Sequence, residues 1–275
     1  MLRLLWFKLS VAALLVAEYL AIPGPSAILW VSATLALVVA LVAYLVTSPR
    51  TQLIVPTIFR GPQTEARIAL TFDDGPDPAF TPQILDVLRE FGAKATFFVV
   101  GRCADAHPEL LVRTAREGHL IGSHTYSHAN TFHVWPPQRM AADITRGIET
   151  IERVVGIRPH YFRPPQGLRV PPLREALASL ATPLSCVTWT VRGLDTVSRS
   201  AATIAARVER GLGAGAIVTL HDGSSLGGYR DRSATIEALR VVLRSCREQG
   251  LTCVRLDELL PPALDAAPGA LKAAR

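Results

Sequence analysis

The 275-residue sequence has few cysteines and no pattern that pairs them. Its four cysteines, Cys103, Cys186, Cys246 and Cys253, form no C-x-x-C pair and show no framework spacing. This argues against cysteine metal ligands and structural bridges, so we predict buried, reduced thiols. A local bridge between Cys246 and Cys253, which flank a helix-to-strand turn, remains an alternative if the domain is exported.

Clustered positive charge is also missing. The net charge of +6 is spread along arginine-rich helices and does not form a block, which is typical of solvated helix faces. The sequence contains no nucleic-acid-binding motif and no interleaving of aromatic and basic residues. We therefore predict no nucleic-acid partner, while close to a bilayer the same charge favours anionic headgroups.

One long stretch lacks charge altogether. Ser26 to Val46 comprises 21 uncharged residues, enough for a helix to cross a hydrocarbon core of ~30 Å. The preceding stretch, Leu2 to Ile22, is apolar apart from three charged residues, and Pro23-Gly24-Pro25 separates the two. We predict a transmembrane helical hairpin.

The alternatives to the hairpin are a cleaved signal peptide and a buried core helix. The second stretch is long for a signal peptide and has no polar face, which disfavours both. Arg3 and Lys8 precede the first segment, and Arg50, Arg60 and Arg67 follow the second. Both ends of a hairpin would then be cytoplasmic, whereas a single span would place the domain outside. We predict an integral protein of the inner membrane and leave the side open.

The chain divides by composition into four parts. We predict membrane segments over residues 1–48, a proline-containing polar linker over 49–66, a catalytic domain over 67–262 and a tail over 263–275.

Short apolar runs alternate with helical patterns about seven times in the catalytic domain. The predicted strands are 68–70, 95–100, 119–123, 160–162, 184–191, 216–220 and 252–256. The predicted helices are 81–91, 108–117, 137–155, 172–180, 202–212 and 234–249. This α/β alternation predicts a parallel sheet with crossover helices, either open or closed into a barrel.

Two adjacent carboxylates follow the first strand of this series. Asp73 and Asp74 belong to the hexapeptide Thr71-Phe72-Asp73-Asp74-Gly75-Pro76 and lie at the carboxyl end of a strand, where α/β folds place their chemistry. Neighbouring carboxylates are costly because like charges raise each other's pKa, and a cation bound to one of them is the simplest way to separate their roles. An acidic turn is the alternative, since Asp, Gly and Pro all favour turns.

Two histidines farther on complete a candidate metal site. His124 and His128 are four residues apart, which would place both imidazoles on one face of a helical turn. Together with Asp74 they supply one carboxylate and two imidazoles, a set suited to zinc with an open position for water. Cobalt and nickel accept the same ligands.

These segments, in this order, resemble a known family. Arg163-Pro164-Pro165-Gln166-Gly167, Asp195 and Thr219-Leu220-His221-Asp222 follow the motifs above. The whole set resembles the polysaccharide deacetylase family, also called the NodB-homology family or carbohydrate esterase family four, over about residues 65 to 260. The resemblance implies a distorted (β/α) barrel of about seven strands, with these residues at its mouth.

The resemblance also implies catalytic roles. Asp73 corresponds to the general base, and Arg163 to the partner that orients it. His221 corresponds to the general acid that protonates the departing amine, and Asp195 to the carboxylate that holds it protonated and correctly turned.

Substrate contacts are implied by the same motifs. After Pro165, the backbone N–H of Gln166 corresponds to the oxyanion donor. Thr196 and Thr219, beside Leu220, stand where relatives usually have the tryptophan and leucine that wall the acetyl pocket. A buried hydroxyl without a partner is penalised, so we hypothesise a different acyl group or sugar, such as an N-formylated, lipid-linked amido sugar.

The sequence thus predicts a membrane-anchored, metal-dependent enzyme that removes an N-acyl group from a polymeric or lipid-linked carbohydrate. One alternative is a catalytically silent carbohydrate-binding relative, which the complete set of acid, base and ligand positions disfavours. The other is a metal phosphoesterase, which would need further bridging carboxylates that the sequence does not supply.

Overall fold

The computed structural model of the protein describes residues 10–17, 21–22, 26–224 and 231–260. The chain forms two compact units, Met1–Ser48 and Pro49–Arg275. The division of the chain into four parts that the sequence suggests stays a prediction.

The first unit contains a long apolar helix, α1 (Ser26–Thr47). It has 22 residues and a mean hydropathy of 2.4, so by length and composition it is able to cross a membrane. A membrane anchor and a signal sequence share these properties. Residues 10–17 are also helical. The turn of the predicted hairpin, 23–25, lies outside the described residues, and the hairpin stays a prediction.

The second unit is built on a parallel sheet. Its strands are β1 (Arg67–Asp73), β2 (Thr96–Val99), β3 (Leu120–Ser123), β4 (Tyr161–Phe162), β5 (Ser185–Cys186), β6 (Val191–Arg192), β7 (Ile217–His221) and β8 (Thr252–Val254). Seven of them follow the order β5-β4-β3-β2-β1-β7-β6, and β8 pairs with the start of β1. The sheet curls into a half-barrel, which confirms the predicted distorted (β/α) barrel of about seven strands.

Helices connect the strands and cover the sheet. They are α2 (Thr81–Glu90), α3 (Gly101–Ala106), α4 (Pro108–Arg116), α5 (Pro137–Val155), α6 (Pro171–Ala178), α7 (Ala201–Glu209), α8 (Ser233–Glu248) and α9 (Leu256–Leu259). The six predicted helices are all present, whereas α3 and α9 were not predicted, because helices of six and four residues leave little periodicity in the sequence.

The predicted strand 184–191 is wrong as a single element. It consists of β5 and β6, which lie at opposite ends of the seven-strand order, so the chain between them crosses the open side of the half-barrel. Ile58 forms a parallel bridge with Val187 there, and its amide donates to the carbonyl of Cys186 at 2.8 Å. Part of the predicted linker therefore contributes to the sheet.

The largest hydrophobic core lies around β1. Phe72 is fully buried and stacks on Phe97 with ring centroids 5.1 Å apart. The apolar face predicted for α2 packs against this core, with Ile84, Leu85 and Leu88 fully buried. Burying such side chains stabilises the fold by about 1.5–3 kcal/mol each, and it fixes β1 so that Asp73 ends the strand at the mouth of the sheet.

Candidate active site

A cavity of about 200 Å³ opens at the carboxyl ends of the strands. Its wall brings together side chains that are far apart in the sequence. The lining residues are Asp73, Asp74, His124, His128, Asn130, Gln166, Gly167, Trp189, Arg192, Thr196, Thr219, His221, Ser224 and Arg232. Every predicted ligand, the predicted base and the predicted acid are therefore on one surface.

The predicted ligands form a compact cluster. Asp74, His124 and His128 are all buried, and their ligand atoms lie within 4.8 Å of one another. The Oδ1 atom of Asp74 is 3.4 Å from Nε2 of His128 and 3.6 Å from Nε2 of His124. That oxygen is buried and has no hydrogen-bond partner among the residues that the structure describes. A buried carboxylate oxygen needs a partner, so the cluster fits a divalent cation bound by one oxygen and two imidazole nitrogens.

The histidine pair is presented by a loop, so the predicted helical turn over 124–128 is wrong. Thr125 and His128 have positive φ angles of 67° and 46°, which turn the chain tightly. The hydroxyl of Thr125 accepts a hydrogen bond from the amide of His128 at 3.0 Å. The four-residue spacing brings both rings together through this turn, with centroids 4.7 Å apart.

Helix α5 supports this loop from behind. The Oδ2 atom of Asp143 accepts hydrogen bonds from the amides of Tyr126 and Ser127, both at 3.2 Å. Gly147 lies directly against the loop, because a Cβ atom there would be 2.7 Å from the carbonyl carbon of Thr125. The helix and the loop can approach this closely only when residue 147 has no side chain.

His124 is held in the form that binds metals. Its Nδ1 is 2.7 Å from the carbonyl oxygen of Arg163, so Nδ1–H donates and Nε2 faces Asp74 with its lone pair free. Burial, together with the neighbouring His128, lowers the pKa of His124 to about 3. The imidazole is therefore neutral at physiological pH, and its second-layer hydrogen bond fixes the ring.

Asp73 is paired with a buried arginine. Arg163 is fully buried, and its Nη1 donates to Oδ1 of Asp73 at 2.6 Å and to the hydroxyl of Thr71 at 2.8 Å. Nη2 donates to the carbonyl of Thr188 at 2.8 Å. Burial lowers the pKa of Arg163, and the Asp73 carboxylate opposes that shift. This set of hydrogen bonds fixes the direction of the Asp73 carboxylate at the end of β1.

His221 forms a second ion pair at the cavity. Its Nδ1–H and its backbone N–H donate to the two carboxylate oxygens of Asp195, each at 2.8 Å. Burial opposes the charged imidazole, but the Asp195 carboxylate outweighs burial and raises the pKa of His221 to about 9. Burial likewise opposes the charge of Asp195, yet the His221 cation holds the pKa of Asp195 below its usual range. His221 is thus protonated at neutral pH.

The predicted substrate contacts divide into two groups. Gln166, Thr196 and Thr219 line the cavity, and Gln166 has a left-handed backbone with φ 58°. Pro165 is buried behind Gln166. Leu220 is fully buried in the main hydrophobic core, because alternate side chains of β7 face opposite sides of the sheet.

Several wall residues were not predicted from the sequence. Arg232 is 2% exposed and precedes α8, and Trp189 lies against Gly167 in the cavity wall. Asp222 is buried beside the cavity, where its Oδ2 accepts a hydrogen bond from Thr81 at 2.7 Å. Burial raises the pKa of Asp222 to about 7. Only Asp222 carried a sequence signal, since it directly follows His221.

The fold and the site define an α/β protein of the distorted (β/α) barrel class, with a candidate metal-ligand cluster at the carboxyl ends of a parallel sheet. The family model for polysaccharide deacetylase matches residues 60–184. A peptidoglycan-N-acetylglucosamine deacetylase of Bacillus cereus is 36% identical over 203 residues, which cover 72% of this chain and 90% of that protein. The chain belongs to the polysaccharide deacetylase family, carbohydrate esterase family four, and is a hydrolase acting on carbon–nitrogen bonds other than peptide bonds.

Solved structures agree with this assignment. The Bc1960 peptidoglycan N-acetylglucosamine deacetylase, solved in complex with 4-naphthalen-1-yl-N-oxidanyl-benzamide, superimposes with a TM-score of 0.68 and 34% identity, covering 74% of this chain and 91% of that one. BA3943 from Bacillus anthracis, described as a pseudoenzyme of the same family, superimposes with a TM-score of 0.65 and 25% identity, covering 74% and 69%. The family thus includes a pseudoenzyme as well as named deacetylases.

Proposed function

We propose that this protein is a metal-dependent, membrane-anchored deacetylase that removes the N-acetyl group from N-acetylglucosamine units of a cell-wall glycan. The B. cereus relative and the Bc1960 enzyme both carry the name of peptidoglycan N-acetylglucosamine deacetylase. One observation carries the proposal: the cluster of three ligands, the Asp73–Arg163 pair and the His221–Asp195 pair share one cavity.

Asp73 is the proposed general base. A divalent cation held by Asp74, His124 and His128 would supply Lewis acidity toward water and the acyl carbonyl. Asp73 is the next residue to the ligand Asp74 and lines the same cavity, so its carboxylate takes the proton from the attacking water. Arg163 holds that carboxylate by a 2.6 Å hydrogen bond, which fixes its orientation before the reaction begins.

His221 is the proposed general acid. An amine is a poor leaving group unless its nitrogen is protonated, and His221 carries a proton at neutral pH because its pKa is about 9. It gives that proton to the amide nitrogen as the carbon–nitrogen bond breaks. Asp195 then stabilises the tautomer that remains, since its Oδ1 is bound to Nδ1 of His221 and leaves Nε2 for the substrate.

Gln166 and Thr219 are proposed to surround the acyl group. The backbone N–H of Gln166 is the proposed donor to the developing oxyanion. Thr219 does not present an unpaired hydroxyl, because its Oγ1 is 3.3 Å from that of Thr71. The hydroxyl of Thr71 donates its hydrogen bond to the carbonyl of Val218 at 2.7 Å. In the Thr71–Thr219 pair, the hydroxyl of Thr219 is therefore the donor. The free-energy cost expected for burying the Thr219 hydroxyl beside an acyl methyl group is therefore reduced. This supports acetyl as the group that is removed.

The experiment is acetate release by the purified full chain from N-acetylchitooligosaccharides and from peptidoglycan fragments. We expect release that stops after chelation and returns on adding zinc, cobalt or nickel. The Asp74→Asn variant should neither bind metal nor release acetate. Absence of acetate release by the metal-loaded protein on both substrates would instead favour a silent carbohydrate-binding protein.

The identity of the acyl group is tested with matched substrates. N-formyl and N-acetyl forms of the same amino sugar, free and lipid-linked, are compared for formate and acetate release. We expect acetate release to dominate, and Thr219→Leu to change this preference little. Formate release alone from the lipid-linked sugar would contradict the assignment of acetyl and support the formyl substrate suggested by the two threonines.

A further inference from the structure

Arg232 binds two separate backbone segments beside the cavity. It lies just before α8 and is 2% exposed. Its Nε and Nη2 donate to the carbonyl of Gly223 at 3.0 and 2.9 Å, and its Nη1 donates to the carbonyl of Asp195 at 3.0 Å. A buried guanidinium is costly to desolvate. This one links the segment that follows His221 to the backbone of Asp195.

Thr235, in the first turn of α8, contacts the same acid. Its hydroxyl donates to Oδ2 of Asp195 at 3.0 Å and is buried. That oxygen also accepts the backbone N–H of His221, while Oδ1 accepts the ring N–H. Thr235 thus fixes the carboxylate plane that sets the direction of the His221 ring.

We propose that Arg232 and Thr235 together position the His221–Asp195 proton donor, so that the start of α8 serves the leaving-group step in particular. Arg232 holds the two backbones, and Thr235 holds the carboxylate. Both act through the ion pair, and neither transfers a proton. The inference rests on the proposed function, in which His221 protonates the departing nitrogen.

Substrates with different leaving groups separate an effect on the proton donor from a general effect on the fold. Cleavage of an N-acetyl amide needs a proton on the departing nitrogen, whereas a 4-nitrophenolate departs from 4-nitrophenyl acetate without one. Asp73 and the three ligands serve both reactions. A disturbed proton donor should therefore slow amide cleavage selectively, whereas a distorted cavity should slow both reactions.

The test compares Arg232→Gln and Thr235→Val with Asp195→Asn as the reference for a lost proton donor. Arg244→Gln is the matched control, since Arg244 is exposed on the same helix, and Thr235→Ser keeps the hydroxyl. We expect kcat for acetate release from chitooligosaccharides to fall about 10- to 100-fold in Arg232→Gln and Thr235→Val. The rate on 4-nitrophenyl acetate and the metal content should stay within about threefold of the unmodified protein, and Thr235→Ser should recover the amide rate.

A second measurement does not depend on turnover. The Nδ1 proton of His221, bonded to Asp195, should give a downfield NMR signal that broadens or disappears in Arg232→Gln and Thr235→Val and persists in Arg244→Gln. Equal losses on both substrates, or an unchanged NMR signal in Thr235→Val, would overturn the inference. An unmodified protein that releases no acetate but shows the expected NMR changes would overturn the proposed function alone.

Discussion

Asp73 and Asp74 are neighbours in the chain but have different partners. Asp73 ends β1 and binds Arg163, whereas Asp74 has a positive φ of 79° and turns its carboxylate toward His124 and His128. Such a backbone is uncommon for residues other than glycine, although Asp and Asn adopt it more readily than most. The turn therefore directs the two carboxylates to different partners, which supports the proposed roles of Asp73 as base and Asp74 as ligand.

Because the two carboxylates have different partners, Asp73→Asn and Asp74→Asn should have different effects. In Asp73→Asn, amide hydrolysis should fall by about 10²- to 10⁴-fold, because the proton of the attacking water has no acceptor. Bound metal, measured by elemental analysis, should stay at the level of the unmodified protein. In Asp74→Asn the metal itself should be lost. Substantial activity in Asp73→Asn would refute its assignment as the base.

The pH dependence of activity should report the His221–Asp195 pair. Because Asp195 raises the pKa of His221 to about 9, the acid form persists through neutral pH, and kcat/KM should fall as the pH rises through about 9. In Asp195→Asn this decline should begin at least roughly one pH unit lower. The pH–rate profiles of both proteins provide the measurement, and coincident alkaline limbs would contradict the pairing.

The same pair should affect stability in a defined pH window. The pKa of His221 is raised above its ordinary value of 6.5 to about 9 in the folded protein. The stabilisation of the folded protein by the charged His221 is therefore complete below pH 6.5 and is lost as the pH rises through about 9. The midpoint temperature of thermal unfolding should therefore fall more steeply across this pH window in the unmodified protein than in Asp195→Asn. Parallel curves would argue against the ion pair.

At the scale of elements, α5 determines the shape of the metal-ligand loop. Asp143 binds two amides of the loop, and Gly147 allows the backbones to touch. Gly147→Ala should displace the loop and weaken metal affinity by about 10- to 100-fold, although alanine is the better helix former. Metal titration of the purified protein measures this effect.

Glu149→Ala provides the control for that substitution. Glu149 is exposed on the same helix, so this change should leave metal affinity unaltered. If Gly147→Ala bound metal as tightly as Glu149→Ala, the close contact between helix and loop would have no role in the site.

The sequence predicted long, periodic elements well and short, irregular ones poorly. The helix over 137–155 was predicted with its bounds, because Ile144, Ile148 and Ile151 repeat at helical spacing and are all buried. The loop at 124–128 was predicted as a helical turn, because a four-residue spacing fits both structures and only tertiary contacts with α5 decide between them. The cluster of ligands was predicted from residue types, whereas Arg232 and Thr235 had no signal, since their partners are distant in sequence.

At the scale of the whole molecule, the strand order explains why distant motifs converge. β1 lies between β2 and β7, so the carboxyl end of β1 is next to that of β7, and Asp73 pairs in register with His221. Parallel strands all place their carboxyl ends at one edge. The proposed base, Asp73, and the proposed acid, His221, thus face the same cavity although almost 150 residues separate them in the sequence.

The apolar N-terminal helix predicts where the molecule resides. We expect the full chain to stay in the membrane fraction after an alkaline carbonate wash. Mass spectrometry of the intact protein should give a mass that includes α1. Leu35→Asp combined with Leu37→Asp should release it, since each carboxylate costs about 2.5–3.5 kcal/mol at the centre of a membrane helix. Leu53→Asp, outside the helix and 72% exposed, is the matched control and should remain bound. A shortened, soluble chain that begins after α1 would identify the helix as a cleaved signal sequence and contradict the anchor.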